Sequence, residues 1–156
     1  MKYYNEIKNK LIDNEVYKKV KDYSKNRNNL STYYAVGKLL YEAGNKYGEG
    51  IIKKYSERLV IEVGRNYNER TLRRIRQFYL VFKDEIWSTM STKLMWRHYT
   101  EIFSLSNVNE INYYINITEE YNLSVRQLRE RIKNKEYQIL LKRGTKLKLP
   151  AYSIMS

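Results

Sequence analysis

Arg70, Arg73, Arg74 and Gln77 fall within one eight-residue stretch whose apolar residues recur at helical spacing. Arginine donates paired hydrogen bonds to guanine and glutamine to adenine, and both side chains also bind phosphate oxygens. With each residue advancing about 100° around a helix axis from Leu72 at 0°, these four side chains lie between about 100° and 200°. The apolar side chains lie between about 280° and 340°; they are Ile75, Tyr79 and Phe82. The pattern predicts a helix with a face for bases and phosphates opposite its apolar face.

The polar face of this helix is short of acidic residues. Exposed helices usually mix charges of both signs, because oppositely charged residues four apart stabilise them. After Glu69 the chain has no Asp or Glu before Asp84. A solvated face with no binding role is the alternative, and both DNA and RNA would suit the arginines. Arg76, at about 40° on the same wheel, is predicted to be structural or to face phosphate.

The residues before this helix predict another helix and a turn. Apolar residues at helical spacing run from Ile51 to Val63, and Gly64 is expected to end that helix. Asn68 is a suitable N-cap for the next helix, which should extend to about Phe82. Two helices joined by a turn of roughly three or four residues follow the helix-turn-helix plan. At this turn three more polar side chains are placed for phosphate or base contacts: Arg65, Asn66 and Asn68.

The positive charge of the chain is concentrated in two segments. The formal net charge is +13; residues 53–83 contain nine Lys and Arg against three Asp and Glu, and 126–148 contain nine against two. Such surfaces attract polyanions, because each neutralised phosphate releases condensed counterions. In the second segment Arg126, Arg129 and Lys133 are predicted to clamp phosphates. A basic extension that only aids solubility is the alternative there.

Length and composition indicate an all-α protein. The 156 residues include one Pro and six Gly, which permits long helices and argues against a turn-rich β sandwich. We expect a compact bundle of about six to seven helices. It should form a single domain over residues 1–141, with the helix-turn-helix near 51–82 and a basic, flexible tail over 142–156. No apolar run reaches the ~18 residues that span a bilayer, and no secretory signal opens the chain, so a cytoplasmic protein is expected.

Local signals mark other helix boundaries. Ser31 is predicted to cap a helix that ends near Gly44. Ser124 and Gln127 form a capping box that should begin the last helix, which is predicted to run through Ile139. Between them, a helix over about 109–121 is predicted to bury one stripe; the stripe is Ile111, Tyr114, Ile115 and Thr118.

The sequence shows no constellation suited to catalysis. It has one histidine and no cysteine, which leaves too few ligands for a histidine or thiolate metal centre. His98 lies beside Trp96 and Tyr99, and we predict either a hydrogen-bonded packing role or a phosphate contact rather than catalysis. Glu119 and Glu120 stand alone, and the chain has no phosphate-binding glycine loop. We therefore expect no enzymatic activity, no metal and no cofactor.

Several of these segments resemble one known family, the N-terminal domain of the YhcG-like family. The resemblance covers about residues 30–141; its segments are 47–59, 72–79 (Leu-Arg-Arg-Ile-Arg-Gln-Phe-Tyr), 96–99 (Trp-Arg-His-Tyr) and 123–128 (Leu-Ser-Val-Arg-Gln-Leu). In that family the domain usually precedes a PD-(D/E)XK nuclease domain and is commonly regarded as DNA-binding. The helix order is more distantly similar to the helix-turn-helix core of ParB-like partition proteins.

The resemblance implies DNA binding without nuclease activity, because 156 residues leave too little chain for the second domain. A natural stand-alone version and a fragment both fit the sequence. One candidate function is a non-catalytic protein that binds double-stranded DNA in a mobile element or defence system. The other is a phage- or mobile-element-encoded, anti-CRISPR-like inhibitor that binds a nuclease complex through protein contacts. A homodimer is compatible with both.

Overall fold

The computed structural model describes residues 2–19, 25–83, 93–105 and 107–144, with the backbone alone at 25–28. Every regular element in these ranges is a helix, which confirms the all-α prediction. In this part of the chain the helices are eight: α1 (Lys2–Tyr17), α2 (Lys25–Tyr47), α3 (Ile51–Glu62), α4 (Glu69–Phe82), α5 (Trp96–Ile102), α6 (Val108–Tyr121), α7 (Val125–Lys133) and α8 (Glu136–Lys142). None of these helices is long and apolar enough to cross a membrane.

The described helices belong to two compact units, α1–α4 in the first and α5–α8 in the second. All four helices of the first unit contribute fully buried residues, including Ile7, Leu40, Leu59 and Ile75. Tyr67, in the connection between α3 and α4, is also buried, and its hydroxyl donates a hydrogen bond to the Glu15 carboxylate on α1. This core holds one face of α4 inward. The single domain expected over 1–141 stays a prediction.

Helices α2 and α4 approach each other closely at a glycine. Gly37 is buried, and a Cβ atom at this position would lie 2.4 Å from the Ile75 carbonyl oxygen and 2.8 Å from Cβ of Tyr79. Both distances are far below van der Waals contact, so only a residue without a side chain permits this approach. Gly37 therefore fixes how close α4 lies to α2.

Helix α2 is longer than predicted. It runs from Lys25 to Tyr47, so the prediction of a helix capped by Ser31 and ending near Gly44 is wrong. A glycine in a helix interior costs about 1 kcal/mol relative to alanine. Burial of the apolar side of α2 against α1 and α4 outweighs this cost, as tertiary packing commonly does.

Helix α3 ends before Gly64, as predicted, but the connection to α4 comprises six residues, 63–68, rather than three or four. Tyr67 accounts for the additional length, because the chain must turn its ring into the core. Asn68 caps α4 as predicted, since its Oδ1 accepts a hydrogen bond from the Thr71 backbone N–H at 3.0 Å.

In the second unit α6 is buried on most of its circumference. Eight of its 14 residues are buried, and they include the whole predicted stripe. Asn122 ends the helix in the left-handed conformation with φ 51°. The predicted capping box then begins α7: Ser124 Oγ accepts from the Gln127 N–H at 3.1 Å, and Gln127 Oε1 accepts from the Ser124 N–H at 2.9 Å.

The prediction of one last helix through Ile139 is wrong, because the chain breaks between α7 and α8. Lys135 adopts the left-handed conformation with φ 57°. Beyond this break the Tyr137 N–H donates to the Tyr114 hydroxyl at 3.2 Å, and the Tyr137 ring packs 5.5 Å from that of Tyr113. These contacts with α6 favour the break over a continuous helix. Because of this break, the described part of the chain has eight helices rather than the expected six to seven.

Candidate nucleic-acid interface

Helix α4 carries four of the ten predicted binding residues on the side away from its core. Its buried residues are Leu72, Ile75, Phe78 and Phe82. Arg70 is exposed, and Arg74 and Gln77 are half-buried. Neither Arg70 nor Arg74 has an acidic partner among the described residues. Both guanidinium groups are therefore available for phosphate or base contacts.

The core side of α4 is wider than the sequence pattern indicates. Phe78, which lies at about 240° on the helical wheel, is fully buried, although the predicted apolar face omitted it. Tyr79 is only half-buried, with its ring 5.2 Å from that of Tyr34 and 5.8 Å from that of Tyr41. The buried sector thus extends toward Arg74, at about 200°, which accounts for the partial burial of its side chain.

Arg73 differs from its neighbours because two carboxylates hold it. Its Nε and one terminal nitrogen donate to Glu69 at 3.0 and 2.7 Å, and its other terminal nitrogen donates to Glu49 Oε1 at 2.7 Å. These hydrogen bonds, to Glu69 first and then to Glu49, raise the pKa of Arg73 above its usual value. Arg73 lies on the predicted face, but its positive charge is already balanced within the protein.

Glu49 also pairs with Arg76. The two terminal nitrogens of Arg76 contact the two carboxylate oxygens of Glu49 at 2.7 and 2.9 Å. Hydrogen bonds from Arg76 and then Arg73 lower the pKa of the Glu49 carboxyl to about 2. The scarcity of acid after Glu69 in the sequence therefore does not describe the folded helix, because Glu49 supplies a carboxylate from the loop between α2 and α3.

The turn before α4 places two further predicted residues at the surface. Arg65 and Asn66 are exposed, and Arg65 has no acidic partner in the described part of the chain. Asn68 is exposed too, but its Oδ1 is occupied by the cap of α4. Asn68 can therefore contact a ligand only through its amide NH₂ group if the cap is to remain intact.

The basic residues of α3 divide into two kinds. Lys53 and Lys54 are exposed and have no carboxylate partner among residues that the structure describes. Arg58 pairs with Glu62 at 3.3 Å and lies 4.0 Å over the ring of Tyr4. Three of the nine basic residues in 53–83, Arg58, Arg73 and Arg76, are therefore paired with carboxylates. The positive excess is carried by the other six, which are Lys53, Lys54, Arg65, Arg70, Arg74 and Lys83.

In the second unit, the spacing of Arg126, Arg129 and Lys133 places them on one face of α7, within about 60° of one another. All three side chains are exposed. Arg129 donates to Glu101 Oε1 at 2.8 and 3.1 Å, and this hydrogen bonding raises its pKa. Arg126 and Lys133 have no such partner within the described ranges, so they remain the better phosphate ligands of the three.

A cavity of about 320 Å³ lies at the beginning of α7. Its lining consists of Leu123, Arg126, Gln127, Glu130 and Arg131. The Glu130 carboxylate offsets one of the two arginines, and Arg131 also pairs with Glu136 at 3.5 Å. The cavity is therefore mixed in charge. The remaining basic residues of the predicted tail, over 145–156, lie outside the described residues.

His98 is a packing residue, which is one of the two roles predicted for it. It is 7% exposed, its Nδ1 accepts from the Met95 N–H at 3.0 Å, and its Nε2 donates to the Leu123 carbonyl oxygen at 2.8 Å. Both ring nitrogens are thereby engaged in fixing the start of α5 and the chain before α7. Within the described ranges, no three potential His, Cys, Asp or Glu ligands come together as a metal site.

The family described as the DUF1016 N-terminal domain matches residues 7–139, and the chain belongs to this family. This match confirms the resemblance to the YhcG-like N-terminal domain. The distant similarity to ParB-like proteins stays a prediction. No curated protein and no solved structure shows significant similarity to the chain.

Proposed function

We propose that this member of the DUF1016 N-terminal domain family is a non-catalytic protein that binds double-stranded DNA through the exposed face of α4. One observation carries the proposal. Arg70, which is exposed, and Arg74, which is half-buried, lie next to Gln77, and neither arginine has an acidic partner among the described residues. These are the side-chain types that recognise guanine, adenine and phosphate. Arg65 and Asn66 extend the same polar surface along the chain toward the turn before α4.

The shape of the element favours duplex DNA over duplex RNA. Helix α4 has 14 residues, which corresponds to a length of about 21 Å. The major groove of B-form DNA, about 12 Å wide, admits an α-helix, whereas the major groove of A-form RNA is too narrow for side chains to read. In this proposal α3 and α4 act as a helix-turn-helix, with α4 in the groove.

The face of α7 supplies a second, sequence-independent contact. Arg126 and Lys133 are exposed and lack described acidic partners. Each phosphate that such a residue neutralises adds affinity without reading a base. Arg129 joins this contact only if a phosphate displaces Glu101 from its guanidinium.

Fluorescence anisotropy with labelled duplexes tests the proposal. Replacing Arg70 and Arg74 together by glutamine should weaken binding at least about tenfold, because each bidentate contact contributes about 1–3 kcal/mol. The matched control is Lys53→Gln with Lys54→Gln, which removes the same charge from exposed positions on α3. That control should weaken binding about threefold or less.

Three outcomes would contradict the proposal. Equal losses in the two double variants would show a general attraction of positive charge without a specific role for α4. Unchanged affinity of the Arg70/Arg74 variant would remove α4 from the interface. Absence of DNA binding by the unmodified protein at low salt would favour the other candidate function, an inhibitor that binds a nuclease complex by protein contacts.

A further inference from the structure

One carboxylate bridges two arginines of α4. Glu49 Oε1 lies 2.7 Å from a terminal nitrogen of Arg73 and 2.7 Å from a terminal nitrogen of Arg76, and Oε2 accepts from the other terminal nitrogen of Arg76 at 2.9 Å. Arg73 and Arg76 are three residues apart and therefore neighbours on the helix surface. Two guanidinium groups around one pair of anionic oxygens also form a suitable binding site for a phosphate.

Glu49 is placed where this contact can open without disturbing the core. It lies in the short loop between α2 and α3, between Gly48 and Gly50, and its side chain is 59% exposed. Gly48 has φ +91°, and no atom lies within 4 Å of the position that a Cβ would take on either glycine. Water can therefore solvate the carboxylate as soon as it leaves the arginines.

The two arginines depend on Glu49 to different degrees. Arg73 keeps a second carboxylate, Glu69, within its own helix. Arg76 has no other acidic partner among the described residues, and its side chain is 19% exposed. Loss of Glu49 would therefore leave Arg76 without a counter-charge while Arg73 stays partly neutralised.

We infer that Glu49 acts as an intramolecular substitute for a DNA phosphate, occupying Arg73 and Arg76 in the free protein and competing with the duplex for them. The inference rests on the proposed DNA binding by α4. Glu49 would then lower the affinity for DNA of any sequence, since a phosphate must displace the carboxylate before these two arginines contribute to binding. Hydrogen bonds from Arg76 and Arg73 lower the pKa of the Glu49 carboxyl to about 2, so this competing carboxylate keeps its charge in mildly acidic as well as neutral solution.

The test compares Glu49→Gln with Glu57→Gln in anisotropy titrations of a duplex at several salt concentrations. Glu57 is exposed on α3 and has no basic partner within the described residues, so its substitution changes the net charge equally. Glu49→Gln should bind about three- to tenfold more tightly than Glu57→Gln. The slope of log affinity against log salt should be steeper for Glu49→Gln than for Glu57→Gln, by about 0.9 for each arginine released to a phosphate. Circular dichroism should show both variants folded.

A second pair of variants, Arg76→Gln alone and Arg76→Gln together with Glu49→Gln, shows which arginine is released. If Arg76 is the main group released, these two variants should bind the duplex with nearly equal affinity. Equal affinities of Glu49→Gln and Glu57→Gln would overturn the inference while leaving the proposed function intact. Weaker binding by Glu49→Gln would also overturn it, because Glu49 would then orient the arginines for DNA. No binding by any of the proteins at low salt would instead overturn the proposed function.

Discussion

Replacing Gly37 by alanine should destabilise the protein, although alanine is the better helix former. The new methyl carbon would lie 2.4 Å from the Ile75 carbonyl oxygen and 2.8 Å from Cβ of Tyr79, about 1.1 and 0.7 Å inside the ~3.5 Å contact distance. Overpacking of this kind costs about 1–3 kcal/mol or more, against a gain in helix propensity of about 1 kcal/mol. We expect a net loss of about 2 kcal/mol, which for a chain of 156 residues would lower the melting temperature by roughly 4–8 °C.

Gly44→Ala is the matched control on the same helix. A Cβ atom at Gly44 would meet only a terminal nitrogen of Arg76, at 3.8 Å, which is an ordinary contact. This variant should gain up to about 1 kcal/mol from helix propensity. Both substitutions change the unfolded chain alike, so the difference between them, about 3 kcal/mol, isolates the contact between α2 and α4.

Urea and thermal unfolding followed by circular dichroism at 222 nm measure both variants. If Gly37→Ala is as stable as Gly44→Ala, α2 and α4 do not approach each other as closely at Gly37 as the structure indicates. The position of the α4 face would then lose its structural basis. If both variants lose stability equally, the two glycines share a role other than close packing.

Two further predictions concern buried hydrogen bonds and use the same unfolding measurements. Tyr67→Phe should cost about 1–2 kcal/mol, because it removes the hydroxyl that donates to the Glu15 carboxylate; unchanged stability would mean that water replaces this bond without loss. His98→Ala should cost about 2–4 kcal/mol, because it empties a buried site and leaves the Met95 N–H and the Leu123 carbonyl unpaired. His98→Gln should recover part of that cost, since glutamine at this helix position can still accept from the Met95 N–H; an equal loss in both His98 variants would contradict the capping role.

The sequence was most informative where one local interaction decides the structure. Asn68 as the cap of α4 and the Ser124–Gln127 capping box each depend on residues at most three positions apart. The stripe of α6 follows from helical periodicity alone. For His98 the sequence argued against catalysis, because no second catalytic group accompanied it, but it did not separate packing from a phosphate contact.

Contacts between distant segments of the chain could not be predicted in this way. Glu49 reaches Arg73 and Arg76 across 24 and 27 positions, so a helical wheel of α4 cannot show it. The approach of Gly37 to Ile75 likewise depends on how α2 packs, and it carries no periodic signal. The glutamate flanked by glycines in the loop before α3, one helix ahead of the arginine-rich α4, is the sequence feature that points to the Glu49 contact.

The most direct test of DNA binding by α4 is the salt dependence of affinity for a DNA duplex, measured by anisotropy for the unmodified protein and for Arg70→Gln with Arg74→Gln. An RNA duplex of the same sequence serves as the comparison. We predict tighter binding to DNA than to RNA at every salt concentration. In the double variant the affinity for DNA should fall at least about tenfold, and the slope of log affinity against log salt should fall by about 0.9 for each of the two arginines that contacts a phosphate rather than a base. Equal DNA affinities of the two proteins, or equal affinities of the unmodified protein for the two duplexes, would contradict DNA binding by α4.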